Sequence, residues 1–204
     1  MGARVAYLDF GLAVRGVETL LRHRHQVKEF TDASDCVFRI GSSRADRALT
    51  LSDGTAVRKG DPVIHLHFWN EHLPRMSGTG PSAGWASLMK RRVMELLATV
   101  ARHLDSDRQF DGIEALHGAT PFASRLGPAQ MVRTAQRFGF DVIAPDPDPE
   151  LHRRIHGVLD SMMLWGMAYT FNRAALHGKG LLRHRHQLWI SRARLRQSYG
   201  AARH

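Results

Sequence analysis

The sequence predicts a single α+β domain, in which a small antiparallel β-meander and a strand–helix–strand unit pack with several helices. Three observations carry this. Between residues 36 and 69 apolar side chains alternate and Gly, Asp and Pro punctuate them, the pattern of short strands and tight turns. From Trp85 to Leu104 the apolar residues recur instead at three- and four-residue spacing, the period of a helix. Finally, 204 residues with 43% hydrophobic and 24% charged side chains can bury a full core, which excludes wholesale disorder. No stretch reads as a linker. The chain 1–204 is therefore taken as one domain that ends in a basic segment, 173–204.

Val5, Leu8, Leu12, Ala13, Val17, Leu20 and Leu21 form one apolar stripe, a first helix that ends in Arg22-His23-Arg24-His25, where the helix dipole favours cations. Cys36-Val37-Phe38-Arg39-Ile40 reads as a strand. Arg47 to Leu51 and Ala56 to Arg58 flank Ser52-Asp53-Gly54-Thr55, an Asp-Gly hairpin signal in which Gly tolerates the positive φ of a tight turn. Lys59-Gly60-Asp61-Pro62 is a second turn, leading into the strand Val63 to Trp69, and a helix is expected to cover one face of this meander. Arg75 to Gly84 (RMSGTGPSAG) is a Gly- and Ser-rich loop. Trp85, Leu88, Met89, Val93, Leu96, Leu97, Val100 and Leu104 then make the clearest helical stripe.

Ile113 to His117 reads as a strand, Pro128 to Phe138 as a helix stopped by Gly139, and Phe140 to Ile143 as a strand. Their simplest arrangement is a right-handed parallel crossover. Asp148 caps a helix over about 149–169, whose apolar far end includes Trp165. A strand at Gln187 to Ile190 and a short basic helix from Ser191 close the chain. Leu20 to Gln26 and Leu181 to Gln187 are both LLRHRHQ, but their surroundings do not match, so no duplicated fold is read.

The single cysteine, Cys36, excludes a disulfide framework and a cysteine-based zinc site, and its strand neighbours Val37 and Phe38 make it a small buried hydrophobe. The N-terminus does not read as a signal peptide, and the longest apolar stretch, Met162 to Thr170, is about half of a bilayer span. A soluble, reduced, cytoplasmic protein is expected, with peripheral contact at the inner membrane. The net charge of +10 is unevenly placed. No Asp or Glu follows Asp160, and Arg173, Lys179, Arg183, Arg185, Arg192, Arg194, Arg196 and Arg203 carry eight of those charges. Such asymmetry points to an anionic partner, nucleic acid or an acidic membrane surface, unless carboxylates of the body take up several of the arginines; an anionic small molecule or lipid head group is the ligand expected.

Chemistry concentrates at residues 61–72. Strand alternation puts Val63, His65, His67 and Trp69 on one face and Ile64, Leu66 and Phe68 on the other, the core face. Asn70, Glu71 and His72 follow at the strand end. Imidazole titrates near neutrality, so a His–Glu pair can move protons, and His65 and His67 with a carboxylate could bind a divalent metal, the one cofactor these residues suggest. His67, Asn70 and Glu71 are the catalytic candidates; His65, Trp69, His72, His117, Arg183, Arg185 and Arg192 are the ligand-binding candidates. His117 opens a Gly-containing segment after a short strand, a common place for ligand loops. Tyr169, Asn172, Trp189 and Ser191 lie among apolar and basic residues near the tail, where Trp165 and Trp189 read as core. No His-Glu-x-x-His, Walker-type loop, G-x-S-x-G or G-x-G-x-x-G occurs.

The run Thr50 to His67, with Asp53-Gly54-Thr55 and the pattern G-D-x-x-x-x-L-H-x-x-N-E from Gly60 to Glu71, resembles the central motif of the bacterial YkoP-like family. Leu188-Trp189-Ile190-Ser191-Arg192 with Tyr199-Gly200 resembles the end of its larger members. The resemblance implies a setting in envelope polysaccharide and lipid metabolism, and marks His67, Asn70 and Glu71 as the positions to watch. The Asp-Asp plus His-x-x-x-His metal pattern of polysaccharide deacetylases is not found. The first functional reading is a protein at the inner membrane face that binds or processes an anionic lipid or lipid-linked sugar. An alternative is a small-molecule enzyme using the His/Glu cluster by metal-assisted or general acid–base chemistry. The third is nucleic-acid binding through the tail, for which no recognised module is evident.

Overall fold

The computed structural model describes residues 30–31, 36–68, 72–74, 82–119, 128–144 and 186–200. The first helix, the 149–169 helix, Trp69, Asn70, Glu71, Tyr169, Asn172, Arg183, Arg185 and most of the 75–84 loop lie outside them. The described elements are β1 (Phe38–Arg44), β2 (Leu49–Thr50), β3 (Ala56–Val57), β4 (Pro62–Phe68), α1 (Ala83–Ser106), β5 (Ala115–Ala119), α2 (Pro128–Arg137), β6 (Asp141–Ile143), β7 (Gln187–Ser191) and α3 (Arg192–Leu195). The α+β class holds, with one mixed five-stranded sheet in the order β1-β4-β5-β7-β6 and a separate β2–β3 pair.

The expected meander is not continuous. β1 pairs directly with β4 in antiparallel register, and β2–β3 is an excursion between them. Backbone bonds close the base of that excursion: Ala45 N–H donates to the Asp61 carbonyl at 2.9 Å and Gly60 N–H to the Ala45 carbonyl at 2.8 Å. At its tip Gly54 has φ +87°, as the Asp-Gly signal requires, and the Asp53 carboxylate accepts from Thr55 N–H at 3.1 Å. The Asp61 carboxylate likewise accepts from Arg58 N–H at 2.7 Å, so this turn is held by its own acid.

The parallel crossover also differs from expectation. The adjacent parallel pair is β4–β5, joined through α1. β5 and β6 run parallel, but β7 lies between them and is antiparallel to both. β7 takes the interior place because it is apolar on both faces: Trp189 and Ile190 point opposite ways and are both buried. β6, with three half-buried residues, suits an edge.

One face of the sheet packs on α1. Ile40, Ile64, Leu66, Leu116 and Ile190 meet Leu97, Val100, Ala101 and Leu104, as the alternation of β4 and the helical stripe predict. α1 begins two residues earlier than its apolar stripe, at Ala83, because Ser82 caps it by accepting from Trp85 N–H at 3.1 Å. Gly118 sets the spacing of β4 and β5, since a Cβ there would lie 2.9 Å from the Leu66 carbonyl oxygen. Cys36 is buried with Val37, Phe38, Leu73 and Met89 against α1. Among the described residues, no helix is long and apolar enough to cross a membrane.

Candidate functional site

The opposite face of the sheet carries the chemistry. Cross-strand register aligns Gly41, His65, His117, Trp189 and Asp141 in one row over all five strands. Opposed residues share a face, so these side chains project together, away from α1. Their rings form a ladder. His65 and His67 have centroids 3.8 Å apart at 46°, His65 and His117 are stacked at 4.5 Å and 9°, and His117 and Trp189 at 4.7 Å and 20°. Three histidines and one tryptophan from β4, β5 and β7 thus make one continuous unit.

Each end of the ladder is set by its neighbours. Trp189 is 1% exposed and packs with Leu51, Val57, Val63 and Ala115, so the β2–β3 hairpin roofs this end. Its indole N–H donates to Gln187 Oε1 at 3.0 Å, giving the buried polar group a partner. At the other end Arg39 lies opposite His67 in register, on the same face, and is only 5% exposed. A guanidinium is rarely this buried. Sequence reading missed Arg39 as a site residue. Its signal was a charged residue at the outward position between apolar Phe38 and Ile40, but its neighbour His67 is known only once β1 and β4 are paired.

The ladder restricts protonation. Burial pushes the His117 imidazole down to about 4, against a smaller upward pull from the Asp46 carboxylate. His117 is therefore neutral near pH 7, and its Nε2 is buried with no hydrogen-bond partner among the described residues. His65 and His67 are half-buried.

The metal expectation for His65 and His67 meets a geometric obstacle. Imidazoles sharing one tetrahedral ion through bonds of about 2.1 Å hold their centroids roughly 5 Å apart, whereas these two stand at 3.8 Å. His65 and His117, stacked face to face, hold their lone pairs in parallel planes that do not converge. Among the described residues no group of three or more His, Cys, Asp or Glu is placed to hold a metal ion.

The other candidates separate. His72 Nδ1–H donates to the Cys36 carbonyl at 3.0 Å, and Arg92 of α1 donates to the His72 carbonyl, so His72 joins the β1–α1 side and not the ladder. Arg192 is held within the fold. Its guanidinium donates to the Phe110 carbonyl at 2.7 Å and to the Leu104 carbonyl, and lies 3.4 Å from Asp105. The expectation that it faces a ligand is corrected on this point: the end of α1 leaves carbonyls without intrahelical partners, and a cation is the natural donor there. Arg196 pairs with Asp105 at 2.9 Å and Arg194 lies 3.6 Å from Asp141. Body carboxylates thus take up three of the tail's eight cations, and the other five lie outside the described residues.

Ser191 and Tyr199, among the described tail residues, make structural bonds too. Ser191 caps α3 by accepting from Arg194 N–H at 2.9 Å while its hydroxyl donates to Asp53. Ser52 donates to Asp141 through both its N–H, at 2.9 Å, and its hydroxyl, at 2.6 Å, and accepts from Arg194 at 2.8 Å. These bonds dock the hairpin tip on β6, β7 and α3, which keeps Leu51 and Val57 over Trp189. Burial alone would raise the Asp53 carboxyl, but hydrogen bonds from Ser191 and Thr55 with Arg194 nearby hold it below its ordinary value. Tyr199 donates to the Phe138 carbonyl at 3.1 Å, tying the last turn to the end of α2.

Compared with known proteins, the chain matches the family model of the YkoP domain over residues 13–199. No curated protein and no solved structure matches it.

Proposed function

From the premise that this chain belongs to the YkoP domain family, we propose that it binds or processes the anionic head group of a lipid or lipid-linked sugar in envelope biosynthesis, at the inner membrane face, using the histidine face of the sheet. The observation that carries this is Arg39, a cation kept 5% exposed beside His67 at the end of the ring ladder. A guanidinium suits planar or tetrahedral oxyanions, and imidazole edges add donors and acceptors for a phosphate or for sugar hydroxyls. His65 and His67 stay half-buried, within reach of a ligand. The tail supports this less than its charge suggested, because Arg192, Arg194 and Arg196 have partners in the fold.

Vesicle flotation tests the reading. The protein is expected to float with vesicles containing phosphatidic acid and phosphatidylglycerol, to remain unbound with phosphatidylcholine alone, and to lose binding in His67→Asn. Equal behaviour on neutral and anionic vesicles would overturn it. A second reading, general acid–base catalysis, is favoured by His117, an imidazole held neutral at about pKa 4 inside a stack. In that reading His67, with Asn70 and Glu71, acts on the bound head group, and Glu71→Gln retains binding while abolishing turnover of the natural ligand.

A further inference from the structure

The helices on the other face of the sheet present a second surface. α1 and α2 both enter the core cluster on that face, through Leu97, Val100 and Leu104 on the first and Ala135 on the second. The last turn of the chain bridges them. Arg196 donates to Asp105 at the end of α1, and Tyr199 donates to the Phe138 carbonyl just after α2.

The outer side of this layer is cationic. Lys90, Arg91 and Arg102 of α1 and Arg133 and Arg137 of α2 are all exposed. Arg91 and Arg102 lie three helical turns apart, about 16 Å along the axis, opposite the buried stripe of α1. Arg133 and Arg137 lie one turn apart and point away from buried Ala135. None of these cations forms an ion pair with a described residue, and Arg102 donates only to Thr99 Oγ1, at 3.1 Å. Among the described residues of this layer, Glu95 is the opposing carboxylate, because Asp105 is shared by Arg192 and Arg196 and α2 contains no acid. The tail was the expected seat of a polyanion. Its described arginines are engaged, and the exposed positive charge lies on the helices instead.

The composition of this surface selects its partner. Met94 is the one large apolar side chain exposed among the described residues. A protein interface is built on an apolar core, a bilayer-surface helix buries an apolar face, and single-stranded nucleic acid stacks on aromatic rings. A duplex backbone is bound by cations alone. Four of the five exposed cations are arginines, whose planar fork makes paired bonds to a phosphate. We propose that the outer surface of α1 and α2 docks double-stranded nucleic acid by its phosphate backbone, without reading base sequence. This is independent of the head-group reading, which concerns the opposite face of the sheet.

Fluorescence anisotropy with a labelled duplex of about 20 base pairs, as DNA and as RNA, tests it over roughly 50–200 mM salt. Five neutralised phosphates give a slope of about −4.5 in log affinity against log salt, a fall of roughly 500-fold over that range. Arg91→Gln with Arg102→Gln, and separately Arg133→Gln with Arg137→Gln, are each expected to reduce the slope by about two. These side chains are exposed, so an unchanged melting temperature verifies that each variant is folded. Arg58→Gln with Lys59→Gln removes the same charge from the exposed turn before β4, outside the helical layer, and is expected to leave the slope unchanged. Salt-dependent binding of either duplex with this pattern supports the proposal. No binding of either duplex overturns it, and so does an equal loss in the turn variant, which would assign the binding to net charge. If phosphatidylglycerol vesicles or polyglutamate displace the duplex at equal charge, and the helical variants lose those partners too, the surface serves a bilayer or an acidic protein and the proposal fails.

Discussion

Replacing Arg192 separates a structural arginine from a ligand-binding one. Its side chain donates to the carbonyls of Phe110, at 2.7 Å, and Leu104, with Asp105 at 3.4 Å. In Arg192→Ala those carbonyls lose a charged donor. Bonds to charged groups contribute roughly 1.5–3 kcal/mol each, and two of them lost would cost about 3–6. Freeing the long side chain returns up to about 2 kcal/mol of rotamer entropy. The side chain is 15% exposed, so water can reach part of the site, which places the net loss near the lower end, about 2–3 kcal/mol. For a chain of this length that corresponds to a fall in melting temperature of about 5–10 °C. Arg192→Lys keeps the charge but not the fork, and one ammonium reaches fewer of the carbonyls, so about half of that loss is expected. Urea unfolding of the three proteins measures it, with vesicle flotation alongside. If Arg192→Ala unfolds within about 0.5 kcal/mol of wild type while its binding to anionic vesicles collapses, the residue faces a ligand and its placement is wrong.

Three further outcomes follow from particular contacts. Gly118→Ala forces a Cβ to within 2.9 Å of the Leu66 carbonyl oxygen, a backbone atom that cannot swing aside, so β4 and β5 must part. A loss of about 1–3 kcal/mol is expected, with disturbed His65 and His117 ring resonances in NMR; an unchanged melting temperature contradicts it. Asp53 is held below its ordinary carboxyl value of 3.8, so its contribution is fully present above that pH and is lost as pH falls through the folded value. Acid titration of stability should therefore be shallower below pH 4 in Asp53→Asn than in wild type, and parallel curves would refute the docking role of this carboxylate. Leu97→Ala removes a fully buried side chain between α1 and the sheet, and should cost about 2–5 kcal/mol in urea unfolding; a smaller loss would mean that α1 is not the main cover of that face.

How much of this was legible depends on how local each feature is. Alternation along β4 placed His65 and His67 together and Ile64 and Leu66 opposite, because side-chain direction in a strand is fixed by the backbone alone. The Asp-Gly turn and the stripe of α1 were legible for the same reason. Strand order was not. β7 inserts between β5 and β6, and this pairing brings Trp189 against His117, a contact that no local pattern encodes. The tail was legible only in part, because a census of charge counts cations without their acceptors. Arg192 meets carbonyls, Arg194 and Arg196 meet Asp141 and Asp105, and none of these partners is near in sequence.

The motif that carried the resemblance divides in the same way. Asp53, Gly54, Gly60 and Asp61 hold two turns, and Asp53 also fixes the hairpin to Ser191 of the tail signature. Two segments that look unrelated in the sequence are thus halves of one contact, and that contact roofs Trp189. Ile64 and Leu66 serve the core. What remains of the described run once turns and core are assigned is His65 and His67, the only polar side chains of β4, and the row they enter contains His117. A turn acid or a core leucine can be explained by folding alone. Three imidazoles in contact cost more to fold, because Phe or Val would pack on a pleated sheet without desolvating polar nitrogens. The buried, unpartnered Nε2 of His117 makes that cost concrete. The functional question is therefore narrower than the conspicuous motif: it concerns the ring edges of His65 and His67, and the guanidinium of Arg39 beside them.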